Sequence, residues 1–358
     1  MHAPRTIGAW LRQLLPVGGP CAWQAAHDLW QALFAQFTTD LCQLARQLPR
    51  EPAAKSGRQY LARWLARPHW EPETIYADLN RQAKRRMGRR GSVPLLVDFT
   101  HLDTRWTVLQ VSFPWQGRAL PLYRLVFDYR GPEVGQKEQV RMACAFLREH
   151  LPAPLHRYVL VMDRGFPSNV LIRELGAADW RFVLRIKGEW KMTHAAYTGP
   201  LKAATAQPAL VGPRPRLFRT AILGQRGKGR AAWSEAHVVS FHGAGYQAPW
   251  FLVTSERHAA RAVALYRTRM RIEGEFRDLK GPCGLDELAR WTDQARVARF
   301  LALVAVYEWW LAWLWVKHRL DHWGRRLRVK GQLSWMRITR EWLQRQLRPS
   351  TNLVLDSL

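Results

Sequence analysis

Two short apolar runs in this chain each end on an aspartate. Val93-Pro94-Leu95-Leu96-Val97 leads into Asp98, and Tyr158-Val159-Leu160-Val161-Met162 leads into Asp163. Five apolar residues without polar alternation fit a strand covered on both faces, as in the middle of a layered α/β sheet. A carboxylate at the end of such a strand costs free energy unless a cation or a donor meets it. Two such strands side by side would bring like charges together, which calls for a metal. Taken singly, each aspartate could equally be a helix cap or a turn residue.

The flanking segments predict the rest of the layout. Alternating strands are expected at 105–113 and 118–129, split by the turn-like Pro114-Trp115-Gln116-Gly117. A helix at 136–150, the second apolar strand, a helix at 167–176 and a strand at 181–184 follow. This succession makes an α/β fold. Residues 188–250, with Gly, Pro, Ala and alternating stretches at 217–223 and 232–241, read as a β-rich insertion. The chain is helical again over 255–280, with two more helices after it. Upstream, Trp23, Trp30, Leu33, Phe37, Leu41, Leu44 and Leu48 recur at helical spacings, predicting one helix over 20–48. Shorter helices are expected at 58–66 and 72–88.

Charge narrows the partner. Lys plus Arg number 55 against 28 Asp plus Glu, a formal charge of +27. With 47% hydrophobic residues and 19 Trp, the chain is not a disordered one, and a basic globular protein points first to nucleic acid. Six of the ten residues 81–90 are basic and none is acidic, so Arg85, Arg86, Arg89 and Arg90 are expected at phosphates. Residues 317–349 are similarly basic. The four cysteines show no CxxC pair, which offers neither a zinc ribbon nor a disulfide framework and fits a reducing cytoplasm. Arg5 and Arg12 interrupt the N-terminal apolar stretch, unlike a signal peptide. The apolar run 300–316 is short for a span and contains Glu308, so it is expected as a core helix, with no membrane partner.

A third element stands out within 255–280. Tyr266, Arg269, Glu273 and Lys280 fall within an arc of about 60° at about 100° per residue, while Glu275 and Asp278 point elsewhere. Asp98-Phe99-Thr100, Asp163-Arg164-Gly165-Phe166 and this Tyr-x2-Arg-x3-Glu-x6-Lys string together resemble the IS4-type DDE transposases, the group containing the Tn5 and Tn10 enzymes. The match covers 94–100, 158–187 and 249–280; the N-terminal 90 residues and the C-terminal 60 resemble the family only in being helical and basic.

The resemblance implies an RNase H-like catalytic core interrupted by the β-rich insertion and flanked by helical regions. The corresponding divisions are 1–90 (helical, DNA-binding), 91–187 (first part of the core), 188–250 (insertion), 251–299 (second part of the core) and 300–358 (basic helices for DNA contact or dimerisation). It implies that Asp98, Asp163 and Glu273 bind two Mg²⁺ ions, with Mn²⁺ as an alternative. Tyr266, Arg269 and Lys280 would then hold phosphates near the cut DNA end. Arg164, Arg185 and Lys187 would meet the DNA backbone, and Trp250 would stack on a base flipped from the end; Trp250 as strand core is the other reading. The activity implied is cleavage at the terminal inverted repeats of an insertion sequence, through hairpin ends, and joining to target DNA. It would be carried out by a homodimer in a synaptic complex, in the cytoplasm and at the nucleoid of a prokaryote. A metal-dependent nuclease or resolvase on the same fold, or a decayed copy that only binds DNA, are the rival readings.

Overall fold

The computed structural model describes residues 20–36, 38–48, 54–67, 71–87, 91–131, 135–224, 233–322 and 334–347. Four helices come first: α1 (Pro20–Ala35), α2 (Leu41–Ala45), α3 (Ala54–Ala66) and α4 (Pro72–Arg86). Three strands follow, β1 (Val93–Leu102), β2 (Trp106–Trp115) and β3 (Arg118–Asp128). Then come α5 (Gln136–His150), β4 (Tyr158–Met162), α6 (Asn169–Ala177) and β5 (Arg181–Ile186). The next stretch holds β6 (Lys191–His194), β7 (Tyr197–Pro200), α7 (Leu201–Ala204), β8 (Arg216–Gly224) and β9 (Trp233–Phe241). The chain continues through β10 (Trp250–Thr254), α8 (Ala259–Arg267), α9 (Met270–Cys283), α10 (Gln294–Lys317) and α11 (Trp335–Leu347).

The ten strands of the described residues form one sheet, in the order β3-β2-β1-β4-β5-β10-β9-β8-β6-β7. β1, β2 and β3 are mutually antiparallel, whereas β4 runs parallel to β1 and β5 parallel to β4. This order and direction pattern is that of an RNase H-like core. The 188–250 stretch extends the same sheet: β10 joins β5 antiparallel, and β9, β8, β6 and β7 continue outward from it.

Strand alternation divides the core between the two faces of the sheet. Leu95 and Val97 of β1 enter the larger apolar cluster, with residues of α5, α6 and α10. Leu96, Val159, Val161 and Val183 enter a second cluster with Ala262, Val263, Ile272 and Phe276 of α8 and α9. Outer strand β3 carries Pro121, where the pairing with β2 shifts register. Side chains satisfy its outward carbonyls. Asn80 Nδ2 donates to Leu122 O at 2.9 Å, Trp309 Nε1 to Pro121 O at 2.7 Å and Gln294 Nε2 to Val126 O at 2.7 Å. The edge is thereby closed to further strand pairing.

Three sequence expectations change. The helix expected over 20–48 breaks before Leu41. Thr39 N donates to Cys283 O at 3.1 Å and its hydroxyl to Gly284 O, tying the break to the end of α9, and Asp40 accepts from Cys42 N at 2.7 Å to cap α2. The turn after β2 is narrower than Pro114–Gly117. Gln116 and Gly117 alone take positive φ, 46° and 81°, a two-residue hairpin turn whose twist suits the flanking strands. The helix expected over 255–280 is two. At Thr268 and Arg269 the bonds run i to i−3, and Thr268 Oγ1 donates to Leu265 O at 2.6 Å, so the turn tightens.

Helix α10 is long and apolar enough by length and composition to cross a membrane, yet 89% of its apolar window is buried inside the protein. Trp30, Trp309 and Tyr307 are among the largest fully buried side chains.

Candidate active site

The parallel register of β1 and β4 pairs Leu96 with Val161 and Val97 with Met162. One step further stand Asp98 and Asp163, on the face that α8 and α9 cover. Asp163 directly follows the last residue of β4, but Asp98 lies inside β1 and not at its end as the sequence suggested, because pairing with β2 continues past it to Leu102. Phe99 and Phe166 lock the two strands together, stacking with ring centroids 4.7 Å apart and planes 7° apart. Asp98 accepts from Phe99 N at 2.9 Å.

Helices α8 and α9 bring three side chains to this pair. Residues three apart eclipse in the tightened turn, so Tyr266 stands in line with Arg269. The Tyr266 hydroxyl donates to Asp163 Oδ1 at 2.7 Å. Arg269 Nη1 donates to Asp98 Oδ2 at 3.0 Å, and Nη2 bonds Glu273 Oε1 and lies 3.8 Å from Asp163 Oδ2. One guanidinium, with its side chain 9% exposed, therefore gathers all three carboxylates. Its Nε is buried without a partner, so the group is incompletely satisfied where it stands.

The two aspartates respond differently to this setting. Burial pushes Asp98 up to about 6; Arg269 and the Phe99 N–H oppose that rise, and the charges of Asp163 and Glu273 add to it. Burial would also push Asp163 up, but the Tyr266 hydrogen bond, Arg269, the Arg164 N–H and Arg185 outweigh it and hold it below the usual carboxylate range. For Arg269, burial favours the neutral form, and the surrounding carboxylates more than reverse that.

Among the described residues, no three His, Cys, Asp or Glu side chains stand ready to hold a metal ion. The donor set still suits a hard divalent cation. Three carboxylates crowd together, one is held above its ordinary pKa partly by its like-charged neighbours, and the one guanidinium that meets all three leaves negative charge in excess. Arg269 occupies the position of that charge.

The other residues singled out in the sequence are distributed as follows. Lys280 is two helical turns beyond Glu273 and does not join the carboxylates. Its Nζ donates to His101 O at 2.5 Å and pairs with Asp286 at 3.3 Å. Arg185 acts on Asp163 through its charge, from a partly exposed position on β5. Arg164 and Lys187 are exposed.

Trp250 is corrected to a core residue, with 8% exposure. Its ring packs against Tyr246, Tyr266 and Phe241, with centroids 4.4, 4.9 and 5.7 Å away, so it offers no free face to a base; it buttresses the tyrosine that holds Asp163. Arg86 packs among aromatic rings: its guanidinium lies 5.5 Å from the ring centroids of both Trp115 and Trp309, and burial lowers its pKa to about 10, so it stays charged while its contacts are with the protein. Arg89, Arg90 and the side chain of Arg85 lie outside the described residues.

Sequence reasoning missed a second charged group beside this site. Arg124 of β3, Gln110 of β2, Glu275 of α9 and Glu308 of α10 are fully or almost fully buried together. The available signal was a lone charge inside each of two apolar runs, Arg124 within 119–127 and Glu308 within 300–316.

A family model described as "Transposase DDE domain" matches residues 121–309, a span that includes Asp163 and Glu273 and begins after Asp98. Among solved structures the chain is similar to the piggyBac transposase in a synaptic complex with hairpin DNA. That similarity has a TM-score of 0.44 and 10% identity, over 93% of this chain and 73% of that one. Human endonuclease V is similar at a TM-score of 0.30 and 13% identity, over 57% of this chain and 93% of that one. No curated protein matches the sequence.

Proposed function

Because the chain belongs to the transposase DDE domain family, we propose that it is a DNA transposase of the IS4 type. It binds the terminal inverted repeats of an insertion sequence, frees a 3′-OH, passes through hairpin ends and joins the ends to target DNA. It works as a homodimer in a synaptic complex, in the cytoplasm of a prokaryote. The observation that carries this reading is the meeting of Asp98 from within β1, Asp163 just after β4 and Glu273 from α9 around the single guanidinium of Arg269.

In this reading Asp98, Asp163 and Glu273 hold two Mg²⁺ or Mn²⁺ ions. When bound, such a pair polarises a phosphodiester and stabilises the entering and departing oxygens. The protein's own part is positional. Tyr266 fixes the orientation of Asp163 and keeps it ionised. Arg269, released from the carboxylates, turns its fork to a phosphate near the cut end, where its unpartnered Nε also finds an acceptor. Arg164, next to Asp163, and Arg185 and Lys187, on and just after the neighbouring strand β5, supply phosphate affinity, which predicts a strong dependence on salt.

The test is excision in cells, with a donor plasmid carrying this gene's native flanks around a marker. Wild type is expected to lose the marker and Glu273→Gln to retain it. Equal excision by both would remove Glu273 from the metal site. Cutting without any joined product would favour a nuclease on the same fold.

A further inference from the structure

Strand register places four polar residues in one lateral row across the sheet. Asp98 on β1 is paired with Gln110 on β2, Gln110 is paired with Arg124 on β3, and Asp163 stands beside Asp98 on the other side. Directly paired residues share a face, so the row lies on one side of the sheet. Helix α9 spans it. At one end of the row Glu273 and Arg269 meet the aspartates, and at the other Glu275 meets Gln110 and Arg124.

The second meeting is densely bonded. Gln110 Nε2 donates to Glu275 Oε1 at 2.8 Å, and Arg124 Nη2 donates to the same oxygen at 3.0 Å. Arg124 Nε donates to Gln110 Oε1 at 2.5 Å, and Ser112 Oγ donates to Glu275 Oε2 at 3.3 Å. Glu308 of α10 accepts from Arg124 at 2.6 Å, supplying a second negative charge from behind. Glu275 and Glu308 have no exposed surface. A buried ion group of this kind is poor value as stabilisation, because apolar side chains of equal volume often do as well. What directional bonds add is a fixed helix position and rotation, which the apolar contacts of Ile272 and Phe276 define only loosely.

We infer that Arg124, Gln110 and Glu275 form a positioning clamp that sets α9 across the sheet so that Glu273 stands over Asp98 and Asp163. The clamp acts on the triad from within the same helix: Glu273 and Glu275 are two residues and about 200° apart, one turned to the carboxylates and the other to Arg124. Gly274 between them brings the helix close to β3, where an added Cβ would stand 3.0 Å from Arg118 Cδ. The inference rests on the reading of the triad as the metal site.

The test is Mn²⁺ binding to the full-length protein, followed by the loss of the free-ion electron paramagnetic resonance signal, together with thermal melts. Glu275→Met keeps the volume and leaves Arg124 paired with Glu308, so the protein still folds while α9 is untethered. The expected result is about a tenfold rise in half-saturating Mn²⁺, the size typical of losing a residue that orients ligands. Glu275→Gln, which keeps the contact with Gln110, is expected to recover most of that loss. Val304→Ala, a truncation of a fully buried residue in α10 outside the clamp, lowers the melting temperature but leaves half-saturation where it was. If Glu275→Met and Val304→Ala move half-saturation alike, or if Glu275→Met leaves it unchanged, the clamp is overturned. If Glu273→Gln binds Mn²⁺ as tightly as wild type, the triad reading itself fails and takes the clamp with it.

Discussion

Asp98 and Asp163, neighbours in one row of the sheet, titrate in opposite directions from their ordinary values. Both are partly buried and both face Arg269. The difference lies in their other partners: Asp163 receives a hydroxyl, a backbone N–H and the field of Arg185, whereas Asp98 has only the Phe99 N–H against two like charges. One side chain, Tyr266, provides much of that asymmetry.

Removing the hydroxyl should therefore be felt at Asp163 first. Tyr266→Phe is expected to raise the Asp163 pKa and to slow DNA cleavage about tenfold near neutral pH, in line with a lost hydrogen bond to a charged group of about 1.5–3 kcal/mol. A depressed carboxylate contributes stability above its unfolded pKa and loses it as pH falls through the folded value. The variant's melting temperature should therefore fall short of wild type by the full amount near neutral pH, with the deficit fading as pH falls through the Asp163 value. A deficit independent of pH would mean that Tyr266 does not act through the charge of Asp163.

Asp98 carries the opposite sign. Its folded value of about 6 lies above its ordinary 3.8, so the ionised form costs stability at neutral pH. At 1.36 kcal/mol per pKa unit, that is on the order of 3 kcal/mol. Asp98→Asn is expected to melt at a higher temperature than wild type at pH 7.5 without metal, with the advantage fading as pH falls from about 6 through 3.8, below which Asp98 is protonated folded and unfolded alike. Cleavage should be lost. Thermal melts across pH decide it, and a variant less stable than wild type throughout would contradict the burial argument.

Arg269 stands in for a cation, and its removal should make the protein depend on one. Arg269→Gln removes the one guanidinium that contacts all three carboxylates, leaving only the more distant field of Arg185 on Asp163, and is expected to cost about 2–3 kcal/mol in metal-free buffer. That is below the ~3–5 kcal/mol of a fully buried pair, because the Glu273 side chain is 36% exposed. Adding Mn²⁺ should raise the variant's melting temperature more than the wild type's. Equal increments would show that the guanidinium and the metal do not compete for these oxygens.

Arg86 offers a negative test on DNA affinity. Arg86→Met keeps most of the contact with Trp115 and Trp309 and loses the charge, so a stability loss of about 1 kcal/mol is expected. The slope of log affinity against log salt should not change. A phosphate contact would reduce that slope by about one, and a gel-shift series at several salt concentrations distinguishes the two outcomes.

The core strands were legible along the chain because continuous apolar runs and turn residues mark buried strands one at a time, whereas the short β6 and β7 carry no such run. The aspartates at 98 and 163 were legible for the same reason, since a charge at the end of an apolar run is locally anomalous. The string from Tyr266 to Lys280 was read as one even helix stripe, and the structure divides it. Thr268 tightens the turn and brings Tyr266 into line with Arg269, while Lys280 is drawn away to the His101 carbonyl and Asp286. The fates of Arg86 and Trp250 could not be read from the chain, because both depend on residues distant in sequence: Trp309 for the first, Tyr266 for the second. The Arg124 group was hidden for a related reason. Its members come from four separate elements, and only register brings Gln110 level with Asp98 and Arg124.

The attachment of the insertion at β10 has a consequence for how such a chain can diversify. Strands β6 to β9 add to the sheet beyond β10, on the side away from β1, β2 and β3, and every bond that aligns Asp98 with Gln110 and Arg124 is made without them. Lengthening, shortening or exchanging β6, β7 and β8 leaves those bonds in place, whereas β9 reaches Asp163 through Phe241, Trp250 and Tyr266. A chain of this design can vary its outermost strands while the row at its centre is inherited unchanged.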